Sequence, residues 1–211
     1  MKIRWHGGNS VSLRGTGYRV VMGLLDTESA KPTKVGKEDL LILPYKLATY
    51  TDDVQKGATK QEPFIIDGAG EYSYNGATVQ VKSVKRSDGI RTHLVSISVE
   101  KMLIVSLGDL DRDLEGSETD FIGTPDVLFV PVGGTGVLDH NQAAKVANMV
   151  EPRVLIPMNY NSEDTAPEKA GVEEFLKEYG SEVQPEGEVT LKKGELPSDT
   201  TDVRVLNIDL K

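Results

Sequence analysis

Apolar residues in this 211-residue chain fall into unbroken runs, strict alternations and helical stripes, and each pattern predicts a different element. The unbroken runs are residues 39–43 (DLLIL), 127–132 (VLFVPV) and 154–158 (VLIPM), as expected of strands covered on both faces. Val95, Ile97 and Val99 alternate with Ser96 and Ser98, which predicts a strand with one wet face. Shorter strands are predicted at 3–5, 64–66, 102–107, 189–192 and 203–210. Hairpins are predicted at 10–13 with 18–25, and at 71–74 with 77–84 across Asn75-Gly76, a strong tight-turn signal. Helical spacing occurs twice. Ala143, Val146, Ala147 and Val150 form one stripe, opened by a capping box of Asp139 and Gln142 and stopped by Glu151-Pro152. Val172, Phe175, Leu176 and Tyr179 form the other, stopped by Gly180. Residues 45–62 and the acid-rich stretch 109–120 read as loop.

The order of these elements predicts a topology. Residues 127–160 make a βαβ unit, and in such sheets ligands gather beyond the C-terminal ends of the strands. Here those ends carry Gly133-Gly134, Asp139-His140 and Asn159. The first half is mostly antiparallel strands and the second alternates strand with helix. The expected architecture is therefore α+β: a four-layer αββα sandwich of two mixed β-sheets in one domain spanning residues 1–211.

Composition narrows the function classes. A net charge of −9 argues against sequence-independent binding of nucleic acid, and the basic cluster Lys82, Lys85, Arg86 and Arg91 reads as a solvated hairpin end. No Cys is present, so a metal site would need carboxylates and the three His, His6, His93 and His140. No run approaches the roughly 20 apolar residues of a membrane helix, and no apolar leader opens the chain. A cytoplasmic protein is expected.

Four segments in order resemble one family. Ile3-Arg4-Trp5-His6-Gly7-Gly8-Asn9-Ser10, Ile66-Asp67-Gly68-Ala69-Gly70-Glu71-Tyr72, Ser106-Leu107-Gly108-Asp109-Leu110 and residues 126–160 are similar to segments of the metallo-β-lactamase fold. The nearest branch is that of small, metal-dependent L-ascorbate-6-phosphate lactonase-like hydrolases. That resemblance implies the same sandwich and Asp109 as the family's bridging carboxylate. Its ligand histidines do not follow. The His-x-His-x-Asp-His signature should come after residue 43, where the chain reads PYKLATYT; Gly8 and Asn159 stand at two further histidine positions. One carboxylate does not hold a catalytic ion, and amide oxygens are poor zinc ligands.

The sequence therefore predicts a degenerate metal site in a non-hydrolytic pseudoenzyme that acts as a binding or assembly module. The alternative is a divergent metal-dependent hydrolase of a phosphodiester, lactone or similar ester. The remnant pocket would be lined by Gly8, Asn9, Asp67, Glu71, Asp109, Gly134, Asp139, His140 and Asn159. No cofactor is expected; the alternative is Zn or Mn, held by Asp109 with His140. The expected partner is a protein or a small polar ligand, with no nucleic acid, no membrane, and a homo-oligomer left open. Two further signals are weak. Residues 109–120 mimic a calcium loop, but Leu114 replaces its turn glycine, and the 133–136 loop (GGTG) lacks the Lys-Ser/Thr of a phosphate loop.

Overall fold

The computed structural model describes residues 1–23, 39–43, 63–162 and 166–208. Its strands are β1 (Lys2–Gly7), β2 (Ser10–Gly15), β3 (Tyr18–Met22), β4 (Asp39–Ile42), β5 (Phe64–Ile66), β6 (Gly70–Tyr74), β7 (Ala77–Lys85), β8 (Arg91–Val99) and β9 (Met102–Ser106). Helix α1 (Gly116–Ile122) precedes β10 (Val127–Pro131), α2 (His140–Val150), β11 (Val154–Met158), α3 (Val172–Tyr179), β12 (Val189–Thr190) and β13 (Asp202–Val203). Among the described residues these strands form two sheets, ordered β12-β1-β2-β3-β4-β5 and β13-β11-β10-β9-β8-β7-β6.

Both sheets are mixed. In the second, β6 to β9 pair antiparallel and β9, β10, β11 and β13 pair parallel. Side chains of both, among them Trp5, Leu13, Ile42, Ile97 and Phe129, join one buried core, so the chain is an α+β sandwich of two mixed sheets. The unbroken runs behave as their composition requires: every residue of β4, β10 and β11 is buried. β10 and β11 lie parallel in register, Val127 opposite Val154 and Pro131 opposite Met158. Between them α2 starts at the expected box, with Asp139 accepting from the Gln142 N–H at 2.8 Å while Gln142 returns the bond to the Asp139 N–H.

Three expectations needed correction. β8 has no continuous wet face: Thr92 through Ile97 are all buried, Ser96 included, and of the alternating serines only Ser98 is exposed. The acid-rich stretch is not all loop, because Glu115 and Glu118 close a capping box that starts α1. Buried Glu118 also takes a two-point bond from Arg112, at 2.7 and 3.0 Å. Among the described residues the last predicted strand, 203–210, is reduced to Asp202–Val203 and isolated bridges from Leu206 to Glu186 and from Ile208 to Trp5, and residues 209–210 lie outside them. The loop predicted at 45–62 falls outside the described residues, as do residues 24–25.

Candidate functional site at the C-terminal strand ends

The two sheets are joined where β1 turns into β2. The backbone carbonyl of Gly8 accepts the Trp5 indole N–H at 2.8 Å and the Asn159 N–H at 3.1 Å, which ties that turn to the end of β11. The Trp5 and Tyr160 rings pack behind it, centroids 4.6 Å apart. Asn159 is buried with φ of 57°, a left-handed conformation that asparagine tolerates better than most residues. At this junction the Asn9 and Asn159 side chains converge on one carboxylate.

That carboxylate is Asp109, just beyond β9. Its Oδ1 accepts from Asn9 Nδ2 and, at 2.9 Å, from Asn159 Nδ2, while its backbone N–H donates to Thr92 Oγ1 at 3.1 Å. Among the described residues Oδ2 takes no hydrogen bond. Burial pushes the Asp109 pKa up; Arg86, Lys169 and the two amides pull it down without overcoming the desolvation. A carboxyl that is destabilised as an anion, yet sits in a cluster of charges, has the character of a functional group.

Arg86 and Lys169 are the residues that sequence reasoning missed. Arg86 ends the β7–β8 hairpin, as expected of the basic cluster, but its side chain is only 18% exposed. It pairs with Asp88 at 3.1 Å and Asp111 at 3.7 Å rather than dissolving into solvent. Lys169 is held by a strap: residues 168–170 hydrogen-bond the 133–135 loop through Thr135 Oγ1 to the Glu168 carbonyl (2.8 Å), Ala170 N–H to the Gly133 carbonyl (3.0 Å) and Lys169 Nζ to the Thr135 carbonyl (2.9 Å). Gly133 is what permits this packing. A Cβ there would overlap the Asn159 carbonyl and stand 3.1 Å from Lys169 Cδ. No signal in the local sequence marks either cation, since both act on the charge of Asp109 from distant segments.

The other expected residues go elsewhere. Gly8 contributes its carbonyl, and Gly134 (φ 80°) bonds Leu138 within the same loop. Asp139 is committed to capping α2. Asp67 and Glu71 are exposed, and Glu71 accepts from Gln80. His140 faces Glu174 at 3.4 Å and Asn141 at 3.1 Å, so it does not join Asp109. His6 bonds Ser12 at 2.8 Å, and His93 must carry its proton on Nδ1, since that atom meets the Leu43 carbonyl at 2.9 Å. The acids of 109–120 do not surround one point either: Asp111 accepts from Ser87, Asp113 pairs with Lys145 and Glu118 with Arg112. The segment that should hold the family's histidine signature, 44–51, lies outside the described residues.

Two buried side-chain atoms are left without a hydrogen-bond partner among the described residues, Asn9 Oδ1 and Arg86 Nε. One is an acceptor and the other a donor, and both belong to residues that act on Asp109. Buried polar atoms are rarely left orphaned, and here both belong to residues that bond or influence the same carboxylate. As a site for a zinc-type ion the described residues are a poor match. No three His, Cys, Asp or Glu side chains come together among them, and two cations flank the single carboxylate.

Comparison with known proteins supplies the family. Residues 2–159 match the model of the beta-lactamase superfamily domain. A "UPF0173 metal-dependent hydrolase" of Hyperthermus butylicus is 28% identical over 92% of this chain and 97% of its own length. Another protein so named, from Thermoplasma acidophilum, is 23% identical over 78% of this chain and 85% of its own. In structure, a protein described as a Zn-dependent hydrolase of the metallo-β-lactamase superfamily from Thermotoga maritima superposes with a TM-score of 0.78, at 26% identity and 98% coverage of both chains. These names overturn the expectation that no cofactor is involved, because the relatives that span the chain are described as metal-dependent. Among the described residues no helix is long and apolar enough to cross a membrane. Sequence, fold and relatives agree that the chain belongs to the metallo-β-lactamase superfamily.

Proposed function

We propose that the protein is a divergent hydrolase of this superfamily, acting on a small polar ester such as a phosphodiester or lactone at the Asp109 end of the sandwich. The observation that carries the reading is the pair of orphaned atoms, Asn9 Oδ1 and Arg86 Nε, beside a carboxyl whose pKa is raised by burial. The relatives' description as metal-dependent hydrolases supports the same class of chemistry. The ion implied by that description would supply Lewis-acid activation of the ester. The described donors do not fit such an ion, because no three His, Asp or Glu side chains come together among them.

The chain's own residues have definable roles. Asn9 and Asn159 fix Asp109 through Oδ1, leaving Oδ2 as the basic atom. In hydrolysis Asp109 takes a proton from the attacking water as the new O–C or O–P bond forms. It then returns that proton to the leaving oxygen as the old bond breaks. A raised pKa favours the second half of that exchange.

A second reading, a binding module without turnover, is favoured by one observation: Oδ1 is already occupied by two amide donors where a ligand for an ion would be expected. Turnover of a chromogenic phosphodiester and a lactone panel, measured with the metal content of the same sample, separates the two. Hydrolysis that falls at least about 100-fold in Asp109→Asn supports the hydrolase. A folded, metal-supplemented protein with no turnover on any of these esters removes it and leaves the binding module.

A further inference from the structure

We propose that Lys169, backed by Arg86, is the anchor for an anionic oxygen group on the ligand of this site, a phosphoryl or carboxylate oxygen lying beside Asp109. The inference rests on reading the Asp109 end as a ligand site, and it adds a class of ligand and a residue to that reading.

Lys169 is placed with care for a lysine that satisfies so little. The strap of bonds between residues 168–170 and the 133–135 loop fixes its backbone, and Gly133 leaves room for its aliphatic stem. Its ammonium spends one hydrogen on the Thr135 carbonyl and forms no ion pair among the described residues. Burial lowers its pKa; Asp109 and Glu168 raise it, and Arg86 lowers it again. The fold thus brings two cations close enough to repel each other, around one carboxylate that is itself reluctant to ionise. A structural lysine is ordinarily exposed or paired, and holding an unpaired one near another cation is costly.

Arg86 completes the geometry. Its Nη2 would stand 3.5 Å from a Cβ at Gly136, which places the guanidinium against the same glycine loop whose Thr135 carbonyl binds the Lys169 ammonium. Its Nε is buried without an acceptor, Asp111 Oδ2 lying 3.7 Å away, beyond hydrogen-bond reach. An incoming oxyanion gives Lys169 the counter-charge it lacks, with the Arg86 guanidinium adding a second positive charge to the same site.

The test is calorimetric titration of the full chain with inorganic phosphate and, separately, with acetate, using chloride as the control anion. Saturable binding of either oxyanion with a dissociation constant of about 1 mM is expected. It should weaken at least about 10-fold in Lys169→Gln and survive in Lys169→Arg, which keeps the charge. Phosphate binding alone assigns a phosphate ester, and acetate binding alone a carboxylate. Failure of both anions to bind the wild type, or equal binding by Lys169→Gln, overturns the proposal. The readout is independent of turnover. Binding without hydrolysis leaves the anchor standing and removes the hydrolase, whereas hydrolysis without anion binding does the reverse.

Discussion

The two ends of the parallel strands each hold a largely buried aspartate, and the two are built to opposite specifications. Asp126, just before β10, is 5% exposed and every one of its bonds is made. Lys193 Nζ lies 2.7 Å from both of its oxygens, Arg153 Nη1 3.2 Å from Oδ1, and the Leu103 N–H donates to Oδ2 at 2.8 Å. Burial pushes the Asp126 pKa up, but these donors outweigh it and hold it below the ordinary value of 3.8. Asp109, just beyond β9, receives two neutral amides on one oxygen and has its cations at a distance; burial wins, and its pKa rises. A carboxylate that completes its own bonding serves the fold. One that leaves bonds open fits the ligand site proposed for Asp109, with the fold bearing the cost.

The contrast can be broken by substitution. The largest effect is expected from Gly133→Ala, whose methyl must displace the Asn159 carbonyl; we expect a loss of about 3 kcal/mol or more in urea unfolding, together with loss of the site. Asp126→Asn comes next. It leaves Arg153 and Lys193 without their counter-charge, and because Lys193 is 43% exposed and can turn to water, the expected loss is near the low end for a buried pair, about 3 kcal/mol. Its pH dependence has a fixed sign. The depressed pKa of Asp126 contributes stability that is present above 3.8 and is lost as pH falls through the folded value, so wild type and variant converge in acid.

Smaller changes sharpen the picture. Asn159→Ala removes a buried hydrogen bond to Asp109 and puts alanine at φ of 57°, for an expected loss of about 2 kcal/mol. Lys145→Ala, which deletes the exposed pair with Asp113, should change stability by less than about 0.5 kcal/mol. A large effect there would mean that exposed charge, and not the two strand ends, governs this fold.

Sequence made some of this legible. The buried runs of β4, β10 and β11, the Asn75-Gly76 turn and the Asp139 box of α2 are local patterns, and local patterns suffice to place them. Helix α1 escaped because its box opens with Glu115, an unusual cap in a stretch whose acidity resembled loop. The convergence of Asn9, Asp109 and Asn159 joins residues 100 and 50 positions apart, so the pocket could be named from family resemblance but not its bonding. Arg86 and Lys169 lay beyond reach for the same reason. A lysine in a polar segment and an arginine at a hairpin end look solvated until the tertiary fold folds them inward.

The measurement that bears most directly on the two-ended account is the thermal stability of Asp109→Asn as a function of pH. Asparagine keeps the shape and can still accept from Asn9 and Asn159, so the substitution chiefly removes the charge. Because the folded pKa is raised, the wild-type fold loses stability as pH climbs from 3.8 through that value, and the variant does not. The account predicts a higher melting temperature for Asp109→Asn at neutral pH, by about 2–4 °C for each kcal/mol relieved, with the gain vanishing in acid. A lower melting temperature at neutral pH, like that expected of Asp126→Asn, would make Asp109 a second structural carboxylate and contradict the account.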